Sequence, residues 1–371
     1  MTLGKMSNEA KGGLALLAAA MLAFMLANSP LASFYQAIGH FSEPSLLFFV
    51  NEGLMTLFFL VVGLEIRAEV RSGELNSFAK SALPAVAAFG GMIVPACVYL
   101  YFAGSDPVAS RGYGIPVATD IAFALSVLSI FGTRVPLSLK AFLMALAIFD
   151  DIGAILLIAL FYSHNLSVWG LGICALIISA MILLRRFQVT SLLPYLGLTL
   201  LLWFAALESG IHATIAGVVA AFLLPISATG IKYKLDPWVT FAVLPLFAFL
   251  NAGVSLNESG AGDIFTPVSL GITLGLLIGK PVGVFLFTWL CVMFKLAPKP
   301  HNATWLQILG IASICGIGFT MSLFVGMLAF ENSGETYQVW ARTGVLLGSA
   351  ISAAFGSLIL GLGLRRPRDA A

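Results

Sequence analysis

Hydrophobic residues in this chain do not alternate, and they rarely form a one-sided helical stripe. They come in blocks of about twenty, separated by short polar turns. Twelve blocks stand out, near residues 10–28, 45–66, 82–103, 112–132, 138–162, 168–185, 191–207, 210–225, 237–256, 267–294, 304–330 and 338–364. A helix rises 1.5 Å per residue, so a block of that length crosses a hydrocarbon core about 30 Å thick. The pattern predicts an all-α membrane protein with about twelve transmembrane helices. The seventh and eighth blocks are the shortest and least sharply bounded. No soluble domain or low-complexity linker interrupts the series, so residues 1–371 are read as one transmembrane domain.

Composition sharpens this picture. Sixty per cent of the residues are hydrophobic and ten per cent charged, with mean hydropathy +1.01, which excludes a soluble globular protein. A net charge of +2 without a basic stripe gives no ground for a nucleic-acid partner. Cys97, Cys174, Cys291 and Cys315 all lie in apolar runs with no CxxC spacing, so neither a disulfide framework nor a metal cluster is expected. Lys5 and Lys11 before the apolar Gly12–Ala27 stretch resemble a signal peptide. A retained first span is the preferred reading, because everything downstream is multispanning.

Basic residues set the orientation. With the N-terminus cytoplasmic, the inside collects Lys5, Lys11, Arg67, Arg71, Lys80, Arg134, Lys140, Arg185, Arg186, Lys232, Lys234, Lys295, Lys299, Arg365, Arg366 and Arg368, sixteen of the nineteen Lys and Arg. Only Arg111 and Arg342 fall outside, and Lys280 lies within a span. An even number of spans with both termini inside is the consistent reading.

The fifth block carries the candidate chemistry. In Ala141–Tyr162, nine uncharged residues precede Asp150-Asp151 and eleven follow. The pair therefore falls near the membrane centre, where each carboxylate costs about 2.5–3.5 kcal/mol on insertion scales. Such a pair should face protein or water and bind something cationic. The plainer alternative has the aspartates capping a short helix at a membrane edge. No turn residue precedes them, and only Gly153 follows.

Two blocks are broken by their own sequence. In the fourth, Pro116 cannot donate to a helix ladder and disfavours helix at Ile115, while Thr119 and Asp120 suit a helix start. In the eleventh, Cys315-Gly316-Ile317-Gly318-Phe319-Thr320-Met321-Ser322 places two glycines and two hydroxyls at mid-span. Extended backbone at membrane depth is tolerated only against protein or a water-filled cavity. The tenth block buries Lys280 in Gly279-Lys280-Pro281. The spacing and Pro281 rule out a phosphate-binding loop, and the lysine lies too deep to snorkel, so a buried carboxylate partner is expected.

These residues carry a resemblance. Ala147-Ile148-Phe149-Asp150-Asp151-Ile152-Gly153, Ala118-Thr119-Asp120-Ile121-Ala122-Phe123, Gly63-Leu64-Glu65 and Ile278-Gly279-Lys280-Pro281 resemble the NhaA sodium–proton antiporters. So do the Cys315–Ser322 motif, Asn28-Ser29-Pro30, Gly210-Ile211-His212-Ala213-Thr214 and Leu244-Pro245-Leu246-Phe247-Ala248, nearly end to end and in the family's order. The rule that interrupted segments in two related halves mark a transporter's binding site was itself drawn partly from this family.

The resemblance implies twelve spans, inverted three-helix repeats at about 82–162 and 267–364, and two crossed discontinuous helices. It implies Asp151 as carrier of cation and proton with Asp150 beside it, Lys280 paired to Asp150, and Asp120 and Thr119 at the helix break. Transported Na+ or Li+ would be held by Asp151 and Asp150, exchanged electrogenically for H+, with no cofactor and no catalysis. A bacterial inner-membrane homodimer in contact with lipid, joined through the loop at Pro30–Pro44, would complete the picture. The pH response common in the family would fall to Glu65, Glu69, His212 and Glu52. Departures bear on that response. Glu52 stands where aspartate is frequent, Ala68 halves a basic pair, and Lys232-Tyr233-Lys234-Leu235-Asp236 lacks the histidines many members show before Pro-Trp. Two rivals are a cation channel and an intramembrane aspartyl protease. For the latter, Gly260-Ala261-Gly262-Asp263 spells GxGD, but in a polar loop without a Tyr-Asp partner in a preceding span.

Overall fold

A computed structural model describes residues 8–40, 45–73, 77–163, 166–225, 229–255 and 261–365. Lys5, Arg366, Arg368, Gly260 and residues 41–44 of the expected dimer loop lie outside the described residues. Eight helical segments are long and apolar enough to cross a membrane: Ala10–Ala27, Leu46–Arg71, Ser81–Ala103, Leu137–Phe161, Val168–Arg186, Gly230–Asn251, Pro267–Met293 and Glu335–Arg365. Two further spans are bent pairs, Ala109–Val117 with Ile121–Ser129 (41°) and Trp305–Ile314 with Phe319–Ala329 (46°). Leu193–Ser209 is shorter, and Ile215–Leu223 has only nine residues. At 1.5 Å per residue that last helix covers about 14 Å. The block at 210–225 is thus a half-helix reached through an irregular stretch at Gly210–Thr214, where Gly210 takes φ +80°. All twelve hydrophobic blocks have a structural counterpart.

The surface is apolar as well as the core, and a small set of polar side chains is buried within it. Leu14, Leu160, Leu176, Phe204 and Leu358 are exposed, while Thr119, Asp120, Asp150, Lys280, Thr320 and Ser322 are buried. The helix at Asn8–Ala27 packs on Ile121–Ser129, and Gly13 lies so close to Ser126 that a side chain there would collide with the hydroxyl. That packing fits a retained span. The loop expected to join two copies contains a helix, Ala32–His40, tied back by Tyr35 Oη donating to Phe249 O at 2.6 Å.

Among the described residues three helical stretches widen to π geometry, at Phe49–Leu54, Val239–Val243 and Gly275–Gly279. Two precede a proline. Pro245 and Pro281 lack an N–H, and their rings crowd the carbonyls four residues back, Phe241 and Leu277, which lie in the widened turns. The third and tenth spans pack closest, with Gly283 meeting the Gly90 backbone and Gly279 meeting Pro95, as small residues allow in a membrane.

Side chains also sort the helix ends into two faces. Arg67 Nη1 donates to Ala221 O (2.8 Å) and Leu224 O (2.7 Å), and Arg185 Nη1 donates to Phe222 O (2.7 Å). Two arginines from the second and sixth spans therefore cap the carbonyl end of Ile215–Leu223. On another face Tyr337 Oη donates to Asp106 Oδ2 at 2.7 Å, and Trp340 Nε1 to Asp263 Oδ1 at 3.0 Å. The phenol and the Val108 N–H hold the Asp106 carboxyl below the usual carboxylate range. This clasp is present above the ordinary carboxylate range and is lost as pH falls through that lowered value.

Candidate ion-binding site

The site forms where the two broken spans meet. The 3₁₀ stretch Ala109–Val117 contains Pro116 in its last turn, Ala118 is extended (φ −74°, ψ 148°), and helix restarts after Asp120. In the eleventh span the helix ends at Ile314 and restarts at Phe319. A Cβ on Gly316 would lie 2.3 Å from Leu276 O and 2.8 Å from Ser352 Oγ, so only glycine lets the backbone approach there. The two breaks bind each other. Asp120 N donates to Ile317 O (2.7 Å), Thr119 Oγ1 to Cys315 O (2.8 Å), and Ser322 Oγ to Ile115 O (2.6 Å).

Each break exposes one helix start and one helix end, with opposite partial charges. Asp120 answers both starts. Its Oδ1 accepts from Phe123 N (2.9 Å), its Oδ2 accepts from Thr320 N (3.1 Å), and Oδ2 also takes the Thr320 hydroxyl. Lys280 answers an end by donating from Nζ to Val117 O. One anion and one cation thus neutralise a crossing that hydrocarbon would not tolerate.

The fifth span is one unbroken helix, Leu137–Phe161, with both aspartates at mid-length, which removes the helix-cap alternative. Asp150 is fully buried and its Oδ2 lies 2.7 Å from Lys280 Nζ and 2.8 Å from Thr119 Oγ1. Its other oxygen, Oδ1, has no protein partner. Only Ser352 Oγ shares that condition among buried side-chain oxygens and nitrogens of the described residues. Asp151 is 5% exposed against 0% for Asp150 and Lys280, and makes no hydrogen bond or ion pair to another described residue. The charges of Asp150, Glu65, Asp120 and Lys280 all act on it, three repelling and one attracting. Neighbours on a helix project about 100° apart, so one carboxylate can meet Lys280 while the other stays open to an ion. Among the described residues no group of three or more His, Cys, Asp or Glu could hold a metal ion.

The four residues expected to carry a pH response fall into two groups. His212 Nε2 lies 3.2 Å from Glu52 Oε1, and its Nδ1 lies 3.0 Å from Thr214 Oγ1. Its ring also contacts Phe324 (5.6 Å between centroids), which packs on Phe59 and Phe247 at 5.3 and 6.1 Å. Beside this aromatic cluster, a cavity of about 10 Å³ between Asn251, Ser322, Gly326 and Arg342 has room for one water. Glu65 sits apart, near the Arg71 end of its helix, 3.6 Å from Lys232 Nζ and within reach of the Glu69 and Asp236 charges. Asp263 of the GxGD string bonds Trp340, with no second aspartate beside it among these contacts.

Four participants were not singled out by sequence. Thr320 and Ser322 were visible as hydroxyls flanking the glycines. Ser349, whose Oγ accepts from Phe319 N at 3.1 Å, sits in a helix rich in small residues and gives no local signal. Lys232 enters the sequence reading as a cytoplasmic basic residue in a stretch without histidines, and nothing local points to Glu65 as its partner.

Two bent spans crossing at mid-membrane around a buried lysine, a capping aspartate and an open carboxylate define a broken-helix membrane protein of the secondary-transporter class. The family model described as "Na+/H+ antiporter 1" matches residues 5–360. The chain is similar to a protein named "Na(+)/H(+) antiporter NhaA" from Shewanella amazonensis, 49% identical over 369 residues, covering 95% of this chain and 94% of the relative. Proteins of the same name from Shewanella baltica (48%, 95% and 95%) and Shewanella loihica (47%, 95% and 94%) match over 368 residues. The chain belongs to the Na+/H+ antiporter 1 family.

Proposed function

We propose that this protein exchanges Na+ or Li+ for H+ across a bacterial inner membrane, electrogenically and without a cofactor. The observation that carries the proposal is Asp151: a carboxylate at mid-membrane, nearly buried, with no protein partner among the described residues and flanked by a carboxylate already committed to lysine. A proton or a hard cation with oxygen preference is what such a group lacks. Both bind the same charge, so they compete. If only one can be bound while the site changes the face it is open to, sodium moving one way obliges protons to move the other.

Asp150 Oδ1, which has no protein donor, can complete the coordination of a cation held by Asp151. Lys280 holds Asp150 in place and balances its charge. Asp120 fixes the break and adds negative potential. No covalent step is required, so no catalysis is invoked. The basic face around Arg67 and Arg185 is cytoplasmic in this reading, with both termini on that side, and the protein works as a homodimer in lipid.

The test is dequenching of a proton dye inside vesicles carrying the full chain. Adding Na+ or Li+ should move protons in the parent, while Asp151→Asn should not respond. Sodium-driven proton movement by Asp151→Asn contradicts the assignment, and sodium current without proton movement favours the channel.

A further inference from the structure

At the face where Arg67 and Arg185 cap the eighth span, the second span presents Glu65 and the helix at Thr229–Trp238 presents Lys232. Their charged atoms are 3.6 Å apart, and the side chains are about one-third and one-quarter exposed. Asp236 and Glu69 add negative charge around Glu65, and Glu65 acts on Asp151 in turn. Val62 and Ile66 of its helix pack against Ile148 on the helix of Asp151, so Glu65 stands between this face and the site with one ammonium set against it. We propose that Lys232 is a tethered competitor: its ammonium occupies the carboxylate a sodium ion would meet first on its way to Asp151, and so sets the apparent sodium affinity. The proposal rests on Asp151 being the carrier.

The geometry supports displacement. A pair this exposed is held weakly, so an incoming ion can exchange with the ammonium at little cost. The lysine stem is flexible and unbranched, and its charge is compact. By contrast, Lys280 is fully buried on Asp150 and Val117 O and cannot be displaced this way.

The measurement is the apparent KM for Na+ against maximal rate, from initial proton movement in vesicles at fixed pH. Lys232→Gln should lower KM about three- to tenfold, the order expected when one unit charge near the ion's route is removed at an effective dielectric between protein and water, with maximal rate unchanged or reduced. Lys232→Arg should restore the parent KM. Glu65→Gln should raise KM and abolish the effect of adding Lys232→Gln. A second reading needs no Glu65 variant. Choline chloride should shrink the difference between Lys232→Gln and the parent, because a partly exposed charge is screened.

An unchanged or raised KM in Lys232→Gln overturns the proposal. So does equal behaviour of Lys232→Gln and Lys232→Arg, which would mean that shape and not charge matters. A difference that persists undiminished in salt overturns it as well. An Asp151→Asn control separates the two claims. If that variant still exchanges, the carrier assignment fails; if it is inactive and Lys232→Gln leaves KM unchanged, only the lysine proposal fails.

Discussion

Asp150 and Asp151 are chemically identical and adjacent, and the difference between them comes entirely from what each touches. Asp150 has lost its freedom to Lys280 and Thr119, whereas Asp151 touches nothing that neutralises it. Their sequence betrayed that a charged pair sat at mid-membrane, because nine and eleven uncharged residues flank it. It could not say which one was free, since that depends on a lysine 129 positions away. The Asp150–Lys280 pair makes a quantitative prediction. Both side chains are fully buried, and removing one partner of such a pair leaves a bare charge, costing about 3–5 kcal/mol. Lys280→Ala should therefore lower the melting temperature in detergent sharply, and adding Asp150→Asn should recover part of the loss. A double variant that falls by the sum of its two singles would mean that the pair contributes nothing.

At the scale of elements, the breaks were legible and their partners were not. Pro116 and the Gly316–Gly318 pair mark where helix must stop, since one lacks a donor and the others lack a side chain. What joins the breaks is backbone: Asp120 N to Ile317 O and Ser322 to Ile115 O, contacts between residues about 200 positions apart with no compositional trace. The π-turns before Pro245 and Pro281 were likewise not foreseen, although each proline is a local reason for one. The eighth block reads as a short span at 210–225, and hydropathy does not register that its first residues, Gly210–Thr214, are irregular backbone. Asp120 accepts from three donors at two helix starts, which allows a two-variant test. Asp120→Ala strands buried N–H groups at about 1–3 kcal/mol each, where water does not replace the carboxylate, and should lower both stability and apparent sodium affinity. Asp120→Asn keeps one acceptor oxygen but loses the charge. It should recover part of the stability and little of the affinity if the field at Asp151 matters. Equal affinity in Asp120→Ala and the parent would mean that the crossing is compensated elsewhere.

The whole molecule combines one site with two distant charge clusters, Glu52–His212 and Glu65–Lys232, and these decide how it answers pH. The stretch before Pro237 carries Lys232, Tyr233, Lys234 and Asp236 and no histidine. Competition at the aspartates alone spreads over about two pH units. The pH profile of apparent sodium affinity should therefore be shallow, with substantial exchange at mildly acidic pH, and His212→Ala should leave its slope in place. A profile steeper than two coupled protons allow, or its collapse in His212→Ala, would contradict this. Beneath every one of these expectations lies the claim that sodium and a proton occupy the same carboxylate. The most direct measurement is proton release on sodium binding, followed with a pH indicator in weakly buffered detergent, where no membrane or gradient intervenes. Adding Na+ to the full chain should release protons as sodium binds, and Asp151→Asn should neither bind nor release. Sodium binding with no proton released, or release that survives in Asp151→Asn, would contradict the account.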